Sequence, residues 1–327
     1  MRRLKFLYYE NLKYEPKIIR RIKEHFEFIT LLDPTHDRDD ILQGIDVCLA
    51  PLGFSFDKNK IDCCPQLKII GSSTLSIPHI DVEYALSKGI KVCYLNGSQK
   101  DFLKTITPTA ELAWGLVIAI TRLIPWAYKD VLKGKWDGKS FGHKVPRMLS
   151  AMSLGVVGLG RLGSLVASYG KALGMKVYYY SPNSVNSDYE RCETLIELAK
   201  KSDIVSLHAH YTSATEGLIN KDFFEAMKRG SFIVNTARGK IIDEKALLEA
   251  LKRGAIGGAA LDVLADEYGP DFELKLIENP LIKYANSHDN LILTPHYGGA
   301  TVDARIETQA RTIELIIESV NFLWRRI

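Results

Sequence analysis

From Ser153 onward, short apolar runs rich in β-branched residues alternate with stretches of helical spacing, and this alternation constrains the chain more than any other feature. Ser153–Val157, Met175–Tyr180, Asp203–Leu207, Ser231–Asn235, Gly257–Leu261 and Leu291–Leu293 read as strands. Arg161–Leu173, Asp222–Met227 and Glu244–Leu251 carry helical patterns between them. Apolar strands separated by helices predict a parallel sheet covered on both faces, a doubly wound α/β fold. The first strand-to-helix turn reads Gly158-Leu159-Gly160-Arg161-Leu162-Gly163. In that context the first glycine permits a tight turn and the second lets backbone amides approach a pyrophosphate. The third allows close helix packing, with the helix N-terminus facing the anion. The pattern predicts a dinucleotide-binding domain of six strands.

The N-terminal hundred residues repeat this grammar on a smaller scale. Leu4–Tyr8, Asp46–Leu49, Leu67–Ile70 and Ile90–Tyr94 read as strands, with helices near Lys17–His25 and Asp81–Ser87, but without a phosphate-binding glycine cluster. Thr109–Leu132 is apolar on much of its circumference and predicts long helices that begin the dinucleotide domain. The helical stretch Asp303–Trp324 is expected to pack back on the N-terminal unit. At 327 residues the chain is long for one hydrophobic core. The expected division is 1–103 for the first part of the smaller domain, 104–296 for the dinucleotide domain and 297–327 for the returning C-terminal helix. Crossings near Lys100–Thr107 and Pro295 would form a hinge.

Composition removes several function classes from the expectation. A net charge of +4, without a Lys/Arg run or zinc-ligand spacing, does not point to nucleic acid. Met1-Arg-Arg is followed by Leu4-Lys5-Phe6-Leu7-Tyr8-Tyr9-Glu10, which is broken by charge and lacks a cleavage site, so it reads as a strand rather than a signal peptide. The longest apolar run, Leu112 to Ile120, has nine residues, too few to span a bilayer. Cys48, Cys63, Cys64, Cys93 and Cys192 form no metal motif and read as reduced thiols of a cytoplasmic protein, with no metal site expected.

Three residues past predicted strand ends carry the chemistry. Arg238, in Asn235-Thr236-Ala237-Arg238-Gly239, sits where the carboxyl ends of such a sheet meet a ligand crevice, with Gly239 read as permitting a sharp turn beside it. Its guanidinium can grip a carboxylate with two parallel hydrogen bonds, which Lys cannot reproduce. His296 follows Leu291-Ile-Leu-Thr-Pro; removing hydride from a secondary alcohol requires removing the hydroxyl proton too, and imidazole does this in either direction. His25, His36, His79, His143, His208, His210 and His288 have no comparable case as that base. Glu267 can hydrogen-bond the imidazole and fix its tautomer. The second strand of the fingerprint unit ends at Ser181, where a carboxylate normally binds the adenosine ribose. Serine does not repel a 2′-phosphate, yet no nearby Lys or Arg attracts one, so NAD and NADP both stay open.

On these motifs the chain resembles the D-isomer-specific 2-hydroxyacid dehydrogenases, which include phosphoglycerate, glycerate/hydroxypyruvate and D-lactate dehydrogenases. The resemblance covers nearly the whole chain. It adds Thr109-Ala-Glu111, Val205-Ser-Leu-His208, Ala260-Leu-Asp262-Val263 and Thr294-Pro-His296 with Gly298-Gly-Ala-Thr301 to the motifs above. It implies a Rossmann-type cofactor domain plus a smaller flavodoxin-like α/β substrate domain. It further implies hydride transfer between NAD or NADP, leaning to NAD, and a D-2-hydroxy acid/2-keto acid pair of phosphoglycerate, glycerate/hydroxypyruvate or glyoxylate type. Arg238 would bind the substrate carboxylate and carbonyl, His296 would be the acid/base, and Glu267 would support it. The cofactor would lie on Gly158, Gly160, Arg161, Leu162, Gly163, Ser181, His208, Ala209, Thr236, Ala237, Arg238, Asp262, His296 and Gly298, with Asp262 at the nicotinamide carboxamide. Ser72, Ser73, Thr74 and Leu75 would join Arg238 and His296 in binding substrate, through backbone amides. The resemblance also implies a homodimer through the cofactor domain, including the Thr109–Leu132 region.

Departures from the family pattern are equally specific. Ser181 replaces the usual acid, and Glu267 is followed by Tyr268-Gly269-Pro270 and an extended loop to Asn290. The turns Ala50-Pro51-Leu52 and Ser72-Ser73-Thr74 lack the arginines expected for a phosphorylated substrate, and a chain ending at Ile327 is expected to lack the regulatory domain of long phosphoglycerate enzymes. The competing reading from another class is an NAD(H)-sensing, corepressor-like scaffold of the same fold, which turnover would distinguish.

Overall fold

The computed structural model describes residues 2–136, 146–182, 188–269 and 271–324; His143, Asn183 and Pro270 lie outside them. The chain divides into two compact units, Met1–Ile106 with Thr301–Ile327, and Thr107–Ala300.

In the first unit, β1 (Lys5–Tyr9), β2 (Glu27–Leu31), β3 (Val47–Leu49), β4 (Ile69–Ser72) and β5 (Lys91–Tyr94) form a parallel sheet in the order β2-β1-β3-β4-β5. This is the flavodoxin-like order. Side chains alternate across β1: Phe6 and Tyr8 join one core with Ile18, Ile22, Ile313 and Ile316, while Leu7 and Tyr9 join another with Cys48, Ile61 and Ile70. The C-terminal helix Val302–Trp324 thus belongs to this unit's core. It sits flush on β4, since a Cβ on Gly71 would lie 2.6 Å from Ile316 Cδ1. Strand β2 escapes the sequence reading because it is an edge strand with no fully buried residue, and it follows the helix Pro16–His25 with only Phe26 between.

The second unit carries β6 (Ser153–Val157), β7 (Lys176–Tyr180), β8 (Glu190–Arg191), β9 (Ile204–Leu207), β10 (Phe232–Asn235), β11 (Gly258–Leu261) and β12 (Leu291–Leu293). They are parallel in the order β12-β11-β10-β9-β6-β7-β8. The order reverses direction between β6 and β9, the switch point where doubly wound sheets bind ligands. Seven strands replace the six expected, because β8 is a two-residue, exposed, charged edge with no apolar signal to read. The Thr109–Leu132 stretch forms two helices, Pro108–Thr121 and Ile124–Leu132, broken where Leu123 takes a left-handed φ of 57°. The first is buried on several faces, and its Trp114 Nε1 donates to Val166 O at 3.1 Å.

At the amino ends of the strands, Asp203 ties three of them together. This residue stands just ahead of β9, and its carboxylate accepts from Ser153 N (2.9 Å) and Ser153 Oγ (2.7 Å) at the start of β6. It also accepts from Lys228 Nζ (3.2 Å) ahead of β10. Burial alone would raise this carboxyl. The hydrogen bonds from Ser153, Arg147 and Lys228 outweigh it and bring the pKa down to about 2. The stretch after Glu267 is not the extended loop expected. It folds into Phe272–Lys275, a single turn at Leu276–Glu278 and Pro280–Ala285, the last capped by Asn279 Oδ1 accepting from Leu281 N at 2.8 Å and anchored by buried Leu281 and Tyr284.

Candidate active site

The site of the second unit is built at the carboxyl ends of its strands. Gly158, leaving β6, has a φ of +90°, and a Cβ there would meet Ala209 N at 2.8 Å and His208 O at 2.9 Å, so the glycine turn lies flush on the backbone leaving β9. A Cβ on Gly163 would fall 2.0 Å from Gly158 O, which explains the third glycine. Gly160 is different: among the described residues a Cβ there would meet nothing within 4 Å. It caps the helix Arg161–Ala172 without a side-chain hydrogen bond, and the space beside its Cα is open among the described residues. Ser181 directly follows β7, half-buried, beside Tyr180, whose carbonyl accepts from Gly158 N at 2.8 Å.

Two further groups line the same edge. His208 shares a 2.8 Å hydrogen bond between Nε2 and Ser206 Oγ, and burial lowers its pKa to about 4, leaving the ring neutral at ordinary pH. Thr236 is buried, and its Oγ1 has no hydrogen-bond partner among the described residues. A buried hydroxyl without a partner is costly unless a ligand completes it. With the open cradle at Gly160, it fits a dinucleotide held by the glycine turn, Ser181, His208 and the Thr236–Ala237 backbone.

The loop carrying Arg238 is closed by Asn235, itself fully buried at the end of β10. Asn235 Oδ1 accepts from Ala237 N and its Nδ2 donates to Arg238 O, both at 2.9 Å. Arg238 is half-buried and donates one guanidinium N–H to Ala237 O at 2.6 Å; the guanidinium carries five such donors. The role expected of Gly239 needs correction. It is not a positive-φ turn; a Cβ there would lie 2.0 Å from Leu264 C and 2.3 Å from Ala265 N, so it is a glycine of close backbone approach. That approach brings the Arg238 loop against the turn that bears Glu267.

His296 follows β12 with a left-handed φ of 48°, unusual for a residue with a Cβ. Buried Asp262 holds this turn. Its Oδ1 accepts from Thr294 Oγ1 (2.6 Å) and Tyr297 N (3.1 Å), its Oδ2 accepts from Gly298 N (2.9 Å), and its carbonyl accepts from His296 N (2.8 Å). His296 Nδ1 lies 2.8 Å from Glu267 Oε1, and the carboxylate side chain is only 12% exposed. Pairing Nδ1 with a carboxylate places the proton on Nδ1 in the neutral ring and leaves Nε2 for a reacting group. The Glu267 turn is held by Glu244 Oε1, which accepts from Ala265 N at 2.7 Å, and by the Lys240–Asp266 ion pair at 2.7 Å.

Three contributions to this site escape the sequence reading. Asp262 reads there through the cofactor alone, although its carboxylate also builds the histidine turn. Glu244 sits at a helix start and carries no signal that it braces a loop some twenty residues away. Tyr268, in sequence only a departure from the family pattern, brings its hydroxyl to 3.0 Å from His296 Nδ1.

In the first unit, buried Ser72 ends β4, Ser72 Oγ and Thr74 Oγ1 are 2.9 Å apart, Ser73 Oγ bonds the Tyr14 hydroxyl, and Leu75 is exposed. A cavity of about 200 Å³ opens there, lined by Tyr14, Leu49, Leu52, Ser73 and Arg305 among others. Arg305, from the C-terminal helix, stands in this lining and is ion-paired to Glu15 at 3.0 Å.

Residues 114–298 match the family described as D-isomer specific 2-hydroxyacid dehydrogenase, NAD binding domain. The chain is similar to a D-3-phosphoglycerate dehydrogenase of Methanocaldococcus jannaschii, 36% identical over 82% of this chain but only 49% of that protein, so it spans about half that relative's length. It is similar to a glyoxylate reductase of Thermofilum pendens, 34% identical over 86% of this chain and 82% of that one. A D-lactate dehydrogenase of Aquifex aeolicus, solved with NAD and lactic acid, superimposes with a TM-score of 0.78 at 26% identity, covering 99% of this chain and 97% of the other.

Proposed function

The chain belongs to the D-isomer specific 2-hydroxyacid dehydrogenases, and from that premise we propose that it interconverts a D-2-hydroxy acid and its 2-keto acid using NAD or NADP. The observation that carries this reading is the 2.8 Å pair between Glu267 and His296, set at strand ends beside the loop of Arg238. Bound cofactor supplies or accepts the hydride at C2. The chain's own residues handle charge and protons. Arg238 grips the substrate carboxylate. In oxidation, His296 Nε2 takes the hydroxyl proton as C2 loses hydride and the carbonyl forms; in reduction, the imidazolium returns that proton to the carbonyl oxygen. Glu267 offsets the positive charge that the ring carries between these steps. Asp262, besides shaping the turn, is assigned to the nicotinamide carboxamide.

The turns Ala50-Pro51-Leu52 and Ser72-Ser73-Thr74 carry no arginine for a phosphate, which supports a short, unphosphorylated substrate of glyoxylate or hydroxypyruvate type. Ile124, Tyr128, Leu132, Trp136 and Met148 are all exposed on the second unit, which supports a homodimer through this domain. Five free cysteines support a reducing, cytoplasmic setting; among the described residues no single helix is long and apolar enough to cross a membrane. The decisive assay offers a panel of 2-keto acids with NADH and with NADPH, following loss of the reduced cofactor. No turnover with any pair would overturn the enzyme reading and favour the scaffold.

A further inference from the structure

We infer that Tyr268 is a positioning residue for His296, the second side chain that fixes its ring. Nδ1 faces two partners from one turn, Glu267 Oε1 at 2.8 Å and the Tyr268 hydroxyl at 3.0 Å. The two rings stand 5.7 Å apart, tilted by 52°, so the phenol flanks the imidazole rather than stacking on it. Nδ1 carries one proton. The carboxylate takes it, as the charged and nearer acceptor, and the phenol oxygen is the minor acceptor of a three-centre bond. The hydroxyl's own proton therefore points away from the ring.

The need for a second contact follows from geometry. Asp262 fixes the backbone of His296, but the imidazole still turns about its side-chain bonds, and one hydrogen bond to a carboxylate restrains only the direction of Nδ1. A second partner approaching from the side sets the plane, and with it the direction of Nε2. The supply is rigid: Glu267 and Tyr268 are adjacent, and their turn is clamped by Glu244, by the Lys240–Asp266 pair and by Gly269 N donating to Asp266 O at 2.7 Å. Tyr268 is otherwise 60% exposed, a poor place for a large ring whose only purpose is packing.

This assignment rests on the catalytic reading of His296, so the test pairs kinetics with a measurement that needs no turnover. Tyr268→Phe keeps the ring and removes the oxygen. The expected result is a kcat lower by roughly three- to tenfold, the net value of one hydrogen bond, with KM for the keto acid within about twofold. In protein carrying ¹⁵N-histidine, with His296 resonances assigned by His296→Gln, the variant should move the Nδ1 resonance and leave other histidines in place. An unmoved Nδ1 resonance overturns the inference whatever the rate does. A rise in KM alone also overturns it, because the phenol would then contact substrate and not the imidazole. Should the parent lack turnover, the dehydrogenase reading fails, and the Nδ1 resonance by itself still decides whether Tyr268 holds the ring.

Discussion

His296 occupies a backbone conformation that costs energy for any residue with a Cβ, and three hydrogen bonds to the Asp262 carboxylate sustain the turn around it. Such investment makes sense if ring placement matters more than local stability. His296→Ala should then depress kcat by roughly 10²–10⁴-fold, the loss typical of a removed general acid/base. Arg238→Lys should be severely impaired as well, because a point charge lacks the bidentate fork; near-normal steady-state rates at saturating substrate in both variants would sink the assignment. Ser181 offers a test at the other end of the cofactor. Ser181→Asp should add charge-assisted bonds to ribose hydroxyls and repel a 2′-phosphate, raising the NAD/NADP ratio of kcat/KM by about tenfold or more. A ratio that does not rise would show that Ser181 does not face the ribose. At this scale the sequence is most legible where a residue type is forced by chemistry, as with Arg238 and the fingerprint glycines. It is silent on Tyr268 and Glu244, whose partners come from folding and not from spacing.

Elements tell a different story, because a strand is legible only when its burial contrast is. The strands β6, β9, β10 and β11 bury nearly every residue and read directly as apolar runs. The edge strands β2 and β8 do not, and the helices after Phe272 are short enough for their Asn and Pro caps to resemble loop signals. What ties elements together is also hidden: Asp203, at the foot of β9, reads as a surface acid until Ser153 and Lys228 are seen to converge on it. Its carboxyl titrates near 2 instead of 3.8, so its contribution is present above about pH 3.8 and is lost as pH falls through 2. With a side chain only 16% exposed, that shift corresponds to about 2 kcal/mol. His208 adds an earlier step. The folded ring titrates near 4 and the unfolded one near 6.5, so the unfolded chain binds the extra proton and stability declines as pH falls from 6.5 toward 4. Urea midpoints measured from pH 7 to pH 4 should fall, and His208→Gln should flatten that slope. Asp203→Asn should lower the midpoint at pH 7 and reduce its further dependence between pH 4 and 2. A parent midpoint indifferent to pH over both ranges would contradict both assignments.

For the molecule as a whole, two α/β units and the family are legible in the sequence, and the resemblance already points to the Thr109–Leu132 region for a dimer, but which of its apolar residues are exposed shows only with the side chains in place. Leu132 is 68% exposed, Tyr128 64% and Trp136 89%, and these residues lie within one short segment that begins in the helix Ile124–Leu132. The spacing of apolar residues along a helix cannot reveal this, because those facing the core and those facing a partner look alike in sequence. Clustered exposed aromatics and leucines mark an interface more often than a free surface. A stable dimer needs roughly 800 Å² from each partner, with a core of such anchors. Leu132→Glu places a charge where this interface should be driest, and burying an unpaired carboxylate costs several kcal/mol. Because the face would pair with itself under twofold symmetry, one substitution introduces the charge twice. Light scattering should therefore find a dimer for the parent and a monomer for the variant at micromolar concentration. The parent's melting temperature should rise with protein concentration, while that of the variant should not. A parent that remains monomeric at every concentration tested would remove this face from the dimer proposal and leave the exposed Trp136 without a partner of its own kind.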